Sequence, residues 1–449
     1  MVVATLQEMF RGQVIAPSDD EYDRARTLFY GGFDKHPAAI VRPRTTDEIV
    51  KLVRFATTSG MELSVRSGAH SLGGYSIVDG GIVLDLTAMK QLDIDTTANT
   101  AWTQTGLTAI EVTEATDRHN LVMGFGDTGS VGIGGITLGG GVGFLVRKFG
   151  MAIDNVLAAE IITADGHVLT IDDHRHPDLF WAIRGGGGNF GVVSRFQYRL
   201  HPLGDVFGGV LILPATPEVI AGFIELAAAA PDELSTIVNV MTAMDWPFLA
   251  PEYHGKLVVM ALMMYAGDPQ QGDRAIAPFR ALATPIIDMT KPMRYKEIFF
   301  PEDESYHPTA TSRNLFMKTV DAHLANTIIT HLNASDASLR VVQLRVLGGA
   351  MARVEPEAAA FAHRTAPIMA NVASFYEGPH DRPKRQAWVD ELARQLYQDD
   401  DSAYVGFVSS EEEHPIVDVY PEATLTRLIK IKRQYDPSNV FRSNYNIRP

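Results

Sequence analysis

The chain has 449 residues, 46% of them hydrophobic and 21% charged, a balance that excludes a disordered polymer and suits a globular protein of two or three domains. Its 39 basic and 54 acidic residues leave a net charge of −15, a field that repels phosphate backbones and argues against nucleic acid as a partner. Cysteine is absent, which removes disulfides, thiolate catalysis and Cys-ligated metals together.

The first 25 residues contain no basic segment followed by an apolar core of signal length. No uncharged apolar run reaches about 18 residues, so no membrane partner is expected and the default residence is cytoplasmic. In chain order, "AAIVRP" reads as a short strand. Thr45 and Glu48 fit a capping box, and Ile49, Leu52, Val53 and Ala56 follow at helical spacing until Gly60 ends the helix. "ELSVRS" is a second strand. It opens into "VRSGAHSLGGY", residues 65–75, where His70 sits alone among small residues.

Further strands are expected in "GGIVLDL" and "TAWTQTG", with a helix around residues 107–119. A second glycine-rich stretch fills residues 124–155, strands follow in "VLAAEIITADGHVLTI", and a third cluster lies in "RGGGGNFG". Pro202 and Gly204 mark a domain boundary. Beyond them the glycine clusters vanish, and apolar runs such as "KLVVMALMMYAG" and "LRVVQLRVLGGA" alternate with helical stretches such as "TPEVIAGFIELAAAAP". That pattern predicts a sheet with helices on one face, α+β in type. The tail starts as a basic helix and stops at "YDPSN", a turn cluster.

Glycine clusters permit positive φ and expose successive backbone N–H groups, which is how loops cradle phosphates. Three of them within 130 residues point to a large anionic ligand. Neither the dinucleotide fingerprint G-x-G-x-x-G nor the P-loop spacing fits them. "HRHPD" at 174–178 reads as a solvated turn, and no metal site is expected.

"RPRTTDEIVKLVRFA", "VRSGAHSLGGYS", "VGIGGITLGGGVGFLVRKFGMAIDN", "DLFWAIRGGGGNFGVV" and "YDPSNVFRSNYNIRP" together resemble the FAD-linked oxidases of the vanillyl-alcohol oxidase superfamily, in their berberine-bridge-enzyme-like branch. The resemblance implies a two-domain PCMH-type FAD-binding fold. Residues 1–203 would form the FAD domain from two α/β subdomains, 204–403 a substrate domain with a helix-covered antiparallel sheet, and 404–449 a return to the FAD domain. It implies FAD attached covalently at the 8α carbon through His70, with Arg66, Ser67, Gly68, Ala69 and Ser71 in the pyrophosphate loop. Thr128, Gly129, Val131, Gly132, Gly134, Gly135, Thr137, Gly141, Val193, Asn444 and Asn446 would also contact the cofactor. Many relatives make a second link through a cysteine where this chain has Thr128, so attachment here is at most monocovalent. Val131 falls beside the oxygen-accessible face of the ring, and a small residue there goes with oxidase behaviour.

Two positions where relatives carry a catalytic base are altered in this chain. Some relatives carry a glutamate where this chain is aligned with Arg353, and sugar oxidases carry Y-x-N-Y or Y-x-N-F where it has Gly406 and Phe407. The remaining candidates are Tyr404, Tyr420, Glu411 and His363, the last expected on a helix. Arg345 or Arg353 could lower a phenol pKa or hold an anionic substrate. The Met- and aromatic-rich middle region leans towards an apolar or aromatic substrate. The expected partners are a small molecule and dioxygen, with the chain a monomer or homodimer. Three readings stay open: an FAD-dependent oxidase, a dehydrogenase passing electrons to a non-oxygen acceptor, and a flavin-binding protein that has lost its base.

Overall fold

Three main sheets carry the chain in the computed structural model, which describes residues 2–303, 305–409 and 414–449. The first has four strands in the order Val14–Ile15, Ala39–Val41, Ile82–Asp85 and Leu63–Arg66, the last three mutually parallel. The crossover helix Thr46–Ser59 begins where its sequence dictates. Thr45 Oγ1 accepts from the Glu48 N–H at 3.3 Å, and Gly60 closes the helix with a φ of 69°. Ile49, Leu52, Val53 and Ala56 form its buried stripe. Strand Leu63–Arg66 then delivers the His70 loop to the inside of the molecule.

The second sheet is antiparallel, in the order Leu92–Asp95, Thr100–Gln104, Val192–Arg199, Val156–Ile162 and Val168–Ile171. Its core contains Phe125, Phe180, Phe190, Phe196 and Tyr198. The C-terminal residues Tyr420, Leu428, Ile431, Tyr445 and Ile447 complete the same cluster, so the end of the chain packs with this sheet.

The third sheet is eight-stranded and antiparallel. Its path runs Ile287–Asp288, Val206–Pro214, Leu257–Tyr265, Leu234–Thr242, Arg340–Val346, Ile368–Phe375 and Ala310–Met317, with Lys291–Met293 paired to Val206–Pro214. Helices Pro217–Ala229, Pro269–Arg280, Ala322–Ala334 and Arg382–Leu396 share its core on one face. Side chains alternate across a strand. Val342, Leu344 and Val346 therefore meet the helices, while Val341, Gln343 and Arg345 look the other way, into a cavity. The α+β expectation with helices on one face holds.

"YDPSN" owes its placement to a fully buried ion pair. Lys432 Nζ lies 2.6 Å from the Asp436 carboxylate, both side chains 0% exposed. Lys432 also donates to the carbonyls of Asn189 (2.7 Å) and Phe441 (3.0 Å). Asp436 accepts from the N–H groups of Val440 and Phe441. Every charge is matched and hydrogen-bonded, the condition under which a buried pair is tolerated. The pair ties the last helix, Glu422–Tyr435, to the third glycine cluster and directs residues 441–445 back along it.

Candidate active site

A cavity of about 500 Å³ lies where the three sheets meet. At one end its wall is backbone. Ala69 takes a φ of 60°, unusual without a glycine, which turns the loop so that His70 follows. A Cβ on Gly68 would collide with the Gly132 backbone, and one on Gly132 with Gly68. Only glycine lets the two segments touch. Ser67 Oγ fastens them, donating to the Thr105 carbonyl at 2.6 Å and accepting from the Gly134 N–H at 3.2 Å. At Gly135 and Gly188, both in the lining, a Cβ would meet nothing within 4 Å, so these residues face open space.

Ser67, Gly68, Ala69, His70, Ser71, Thr128, Val131, Gly132, Gly134, Gly135, Val193 and Asn444 all line the cavity. Five expected contacts do not. Arg66 is buried beneath the loop, donating to the carbonyls of Ala25 and Ser76. Thr137 shares a 2.8 Å hydrogen bond with the Tyr198 hydroxyl, and the Gly141 N–H is spent on Tyr404. Gly129 and Asn446 also lie off the wall. These residues shape the cavity from behind.

The His70 ring stacks on Phe29, with centroids 4.1 Å apart and planes at 20°. Its Nε2 lies 2.8 Å from Ser130 Oγ. Burial pushes the imidazole pKa down to about 4, against the opposing pull of the Glu302 charge. His70 is therefore neutral at physiological pH.

The other end is made of side chains. Arg345 Nη2 pairs with Asp127 Oδ2 at 2.7 Å, Nη1 donates to the Val142 carbonyl at 2.9 Å, and Nε donates to Gln343 Oε1 at 2.9 Å. Gln343 Nε2 continues the chain to Asn239 Oδ1 at 3.0 Å. The guanidinium also lies 5.1 Å from the Phe407 ring centroid. Asn371 Oδ1 and Ser312 Oγ, on neighbouring strands of the same face, are buried without a hydrogen-bond partner. Tyr30 lines this end too, its phenol pushed up to about 12 by burial and the Asp127 charge.

Tyr404 and Tyr420 both border the cavity. The Tyr404 oxygen accepts the Gly141 N–H at 3.0 Å, and its own proton is left for another acceptor. Burial raises its pKa, with Arg345 opposing. Tyr420 is completely buried, its phenol raised by desolvation, and its hydroxyl lies 3.4 Å from the Gly185 carbonyl. Neither is a standing phenolate.

Arg353 is a correction. It sits on the short 3₁₀ turn Met351–Arg353 outside the cavity, its side chain 62% exposed and paired with Asp232 at 2.7 Å. The arginine that faces the cavity is Arg345. His363 is likewise away from the wall and not on a helix. Its Nε2 lies 2.9 Å from the Val419 carbonyl, and its ring packs on Phe316 and Phe361. Glu411 falls outside the described residues. Residue-by-residue reading missed Asp127, Gln343, Asn371, Ser312 and Tyr30. The signal for Gln343 was present in "RVVQLRV", where Gln343 and Arg345 alternate with Val342, Leu344 and Val346.

The cavity suits a dinucleotide. One arm is lined by glycine backbone with room for close approach, and Asn444 contributes a buried Oδ1 that lacks a partner. Both arms and His70 belong to the lining of the one cavity.

Two family models match the chain: an FAD binding domain over residues 37–172, and "Berberine and berberine like" over residues 403–448. The chain is 30% identical to (R)-6-hydroxynicotine oxidase of Paenarthrobacter nicotinovorans across 98% of its own length and 97% of that protein's. It is 25% identical to glucooligosaccharide oxidase of Sarocladium strictum over 95% of this chain and 90% of that one. The crystal structure of 6-hydroxy-D-nicotine oxidase from Arthrobacter nicotinovorans superposes with a TM-score of 0.86 at 28% identity, covering 98% of each chain. Xylooligosaccharide oxidase from Myceliophthora thermophila, at 22% identity, matches in fold with a TM-score of 0.86 over 100% of this chain and 99% of that one.

Proposed function

The chain belongs to the berberine-bridge-enzyme-like FAD-linked oxidoreductases, and from that premise we propose that it is an oxidase of a small, uncharged, largely aromatic molecule. The observation carrying this reading is the single cavity that joins a glycine-walled arm, suited to a dinucleotide, to a sheet face whose charges are already paired. FAD held there would supply the hydride acceptor, with dioxygen as the final oxidant and hydrogen peroxide as its product. We assign residues 1–203 and 404–449 to holding the cofactor and 204–403 to the substrate.

His70 holds the flavin by one covalent bond, and no cysteine is available for a second. The loop 67–71 and Gly132–Gly135 bind the phosphates. Val131 is small enough to leave room for dioxygen. On the substrate side, Asp127 and Arg345 cancel each other, which disfavours a free ammonium or a carboxylate ligand. Tyr30, Phe375 and Phe407 supply aromatic wall, and Asn371 Oδ1 is free to accept a substrate hydroxyl or N–H. Tyr404, protonated and aimed by Gly141, orients the substrate by donating its hydroxyl proton.

Oxygen uptake with peroxide release across aromatic alcohols, phenolics, hydroxylated heterocycles, amines and oligosaccharides tests this. Turnover confined to uncharged aromatics is expected, and Tyr404→Phe should lower kcat about a hundredfold. Preference for oligosaccharides would overturn the substrate class, and anaerobic reduction followed by slow reoxidation in air would replace oxidase by dehydrogenase. One observation favours a further reading, a flavin-binding protein without turnover. The single carboxylate in the described lining, Asp127, is locked in its ion pair. Retained flavin with no turnover on any of these compounds would establish it.

A further inference from the structure

Ser130 and Glu302 connect His70 to the surface, and nothing in the proposed turnover uses them. Ser130 Oγ donates to the Glu302 carboxylate, and the Ser130 N–H donates to the same carboxylate at 3.2 Å. A serine hydroxyl has one proton. With that proton committed to Glu302, Oγ can only accept from His70 Nε2, 2.8 Å away. The ring proton is therefore on Nε2, and Nδ1 carries the free lone pair. The backbone on either side of Ser130 is pinned, because Gly129 and Val131 accept the N–H groups of Ile110 and Ala109 at 2.9 Å. Phe29 fixes the ring plane by stacking. Ser130 is half-buried and does not line the cavity, and Glu302 is exposed.

We propose that Ser130 and Glu302 are positioning residues for covalent flavin attachment, setting the His70 tautomer and carrying its proton to solvent. This rests on the reading of His70 as the flavin-linking residue. In the step, the Nδ1 lone pair forms the bond to the 8α carbon while one C–H bond of that methyl group breaks and releases a proton. The electron pair of the broken bond stays in the ring system. The Nε2 proton moves to Ser130 Oγ as the Ser130 proton moves to Glu302, and from there to water. Dioxygen then takes the two electrons and two protons and leaves as hydrogen peroxide. A neutral imidazole is required throughout, which burial of His70 provides. The Glu302 charge opposes that burial but is the smaller influence.

The test uses the full chain, produced in riboflavin-starved cells and then mixed with FAD. Attachment is followed by flavin fluorescence of the denatured band and by intact mass, and non-covalent binding by quenching of flavin fluorescence. Ser130→Ala and Glu302→Gln should bind FAD as the parent does and attach it about a hundredfold more slowly. Ser130→Thr, which keeps the hydroxyl, should restore the rate; a merely structural role would not show this split. Attachment by Glu302→Gln at the parental rate overturns the proposal, and that exposed site decides the matter if Ser130→Ala binds no FAD. A parent chain that never attaches flavin overturns this proposal and the His70 reading together. Attachment by the parent with no loss in the variants removes the relay alone.

Discussion

The two ends of the cavity are built by different means. The cofactor end is backbone: Gly68 against Gly132, Ala69 at positive φ, Gly135 and Gly188 facing space. Neighbours in sequence are neighbours in the wall, so the wall can be read from short stretches. The substrate end is side chain: Ser312, Gln343, Arg345 and Asn371 arrive from three strands, and Asp127 from the second glycine stretch. Their meeting depends on strand register, Gln343 opposite Asn371 and Arg345 opposite Met369. A one-residue slip would turn each of them into the helix layer. Backbone sites tolerate little local change, whereas side-chain sites depend on distant agreement.

The largest effect that would break this contrast is at Gly68. Gly68→Ala should lower stability by about 3 kcal/mol, since the clash is backbone against Cβ and cannot relax through a rotamer. Flavin retention should fall with it. Gly135→Ala should lose flavin while melting as the parent does, because its Cβ enters only the cavity. Equal melting temperatures for the two variants would refute the close-contact argument.

Next is the substrate end. Arg345→Met strands Asp127, Gln343 Oε1 and the Val142 carbonyl, and should cost about 2–3 kcal/mol in urea denaturation. Adding Asp127→Asn should recover part of that. If the double variant is no better than the single, Arg345 and Asp127 do not act as a unit.

A smaller effect concerns pH. Burial holds folded His70 at about 4, below the unfolded value of 6.5, and His201 behaves alike. Between these values the unfolded chain binds protons that the folded chain refuses. Stability of the flavin-free chain should be complete above about pH 6.5 and fall as the pH drops through 4. His70→Gln should flatten part of that slope in thermal melts; an unchanged slope would mean His70 is not held neutral. Smallest of all, Arg353→Ala should change stability by less than about 1 kcal/mol and leave turnover intact, as an exposed ion pair predicts.

The sequence disclosed the helix-covered sheet, the His70 loop and the glycine arm, because capping, alternation and glycine spacing are local. It misplaced Arg353, because that residue falls on the 3₁₀ turn Met351–Arg353, past the strand Arg340–Val346 that faces the cavity, and where the chain leaves the sheet is a non-local matter. It also took Arg66, Thr137 and Gly141 for ligand contacts. Their chemistry suited a cofactor, but their hydrogen bonds are spent on Ala25, Tyr198 and Tyr404. His363 was expected on a helix from an alanine-rich stretch, yet the segment is irregular and held by Arg364, whose buried fork grips Asp154 at 2.7 Å twice.

The Lys432–Asp436 pair bears on biosynthesis. It locks into place residues 441–445, and Phe441, Ser443, Asn444 and Tyr445 close one side of the cavity. Residues 67–72 belong to the same lining and are made more than 360 residues earlier. A ribosome must therefore release the chain as far as residues 441–445 before the pocket has all of its lining. Cofactor capture then waits for residues 441–445, and a chain cut short before residue 441 would be left colourless.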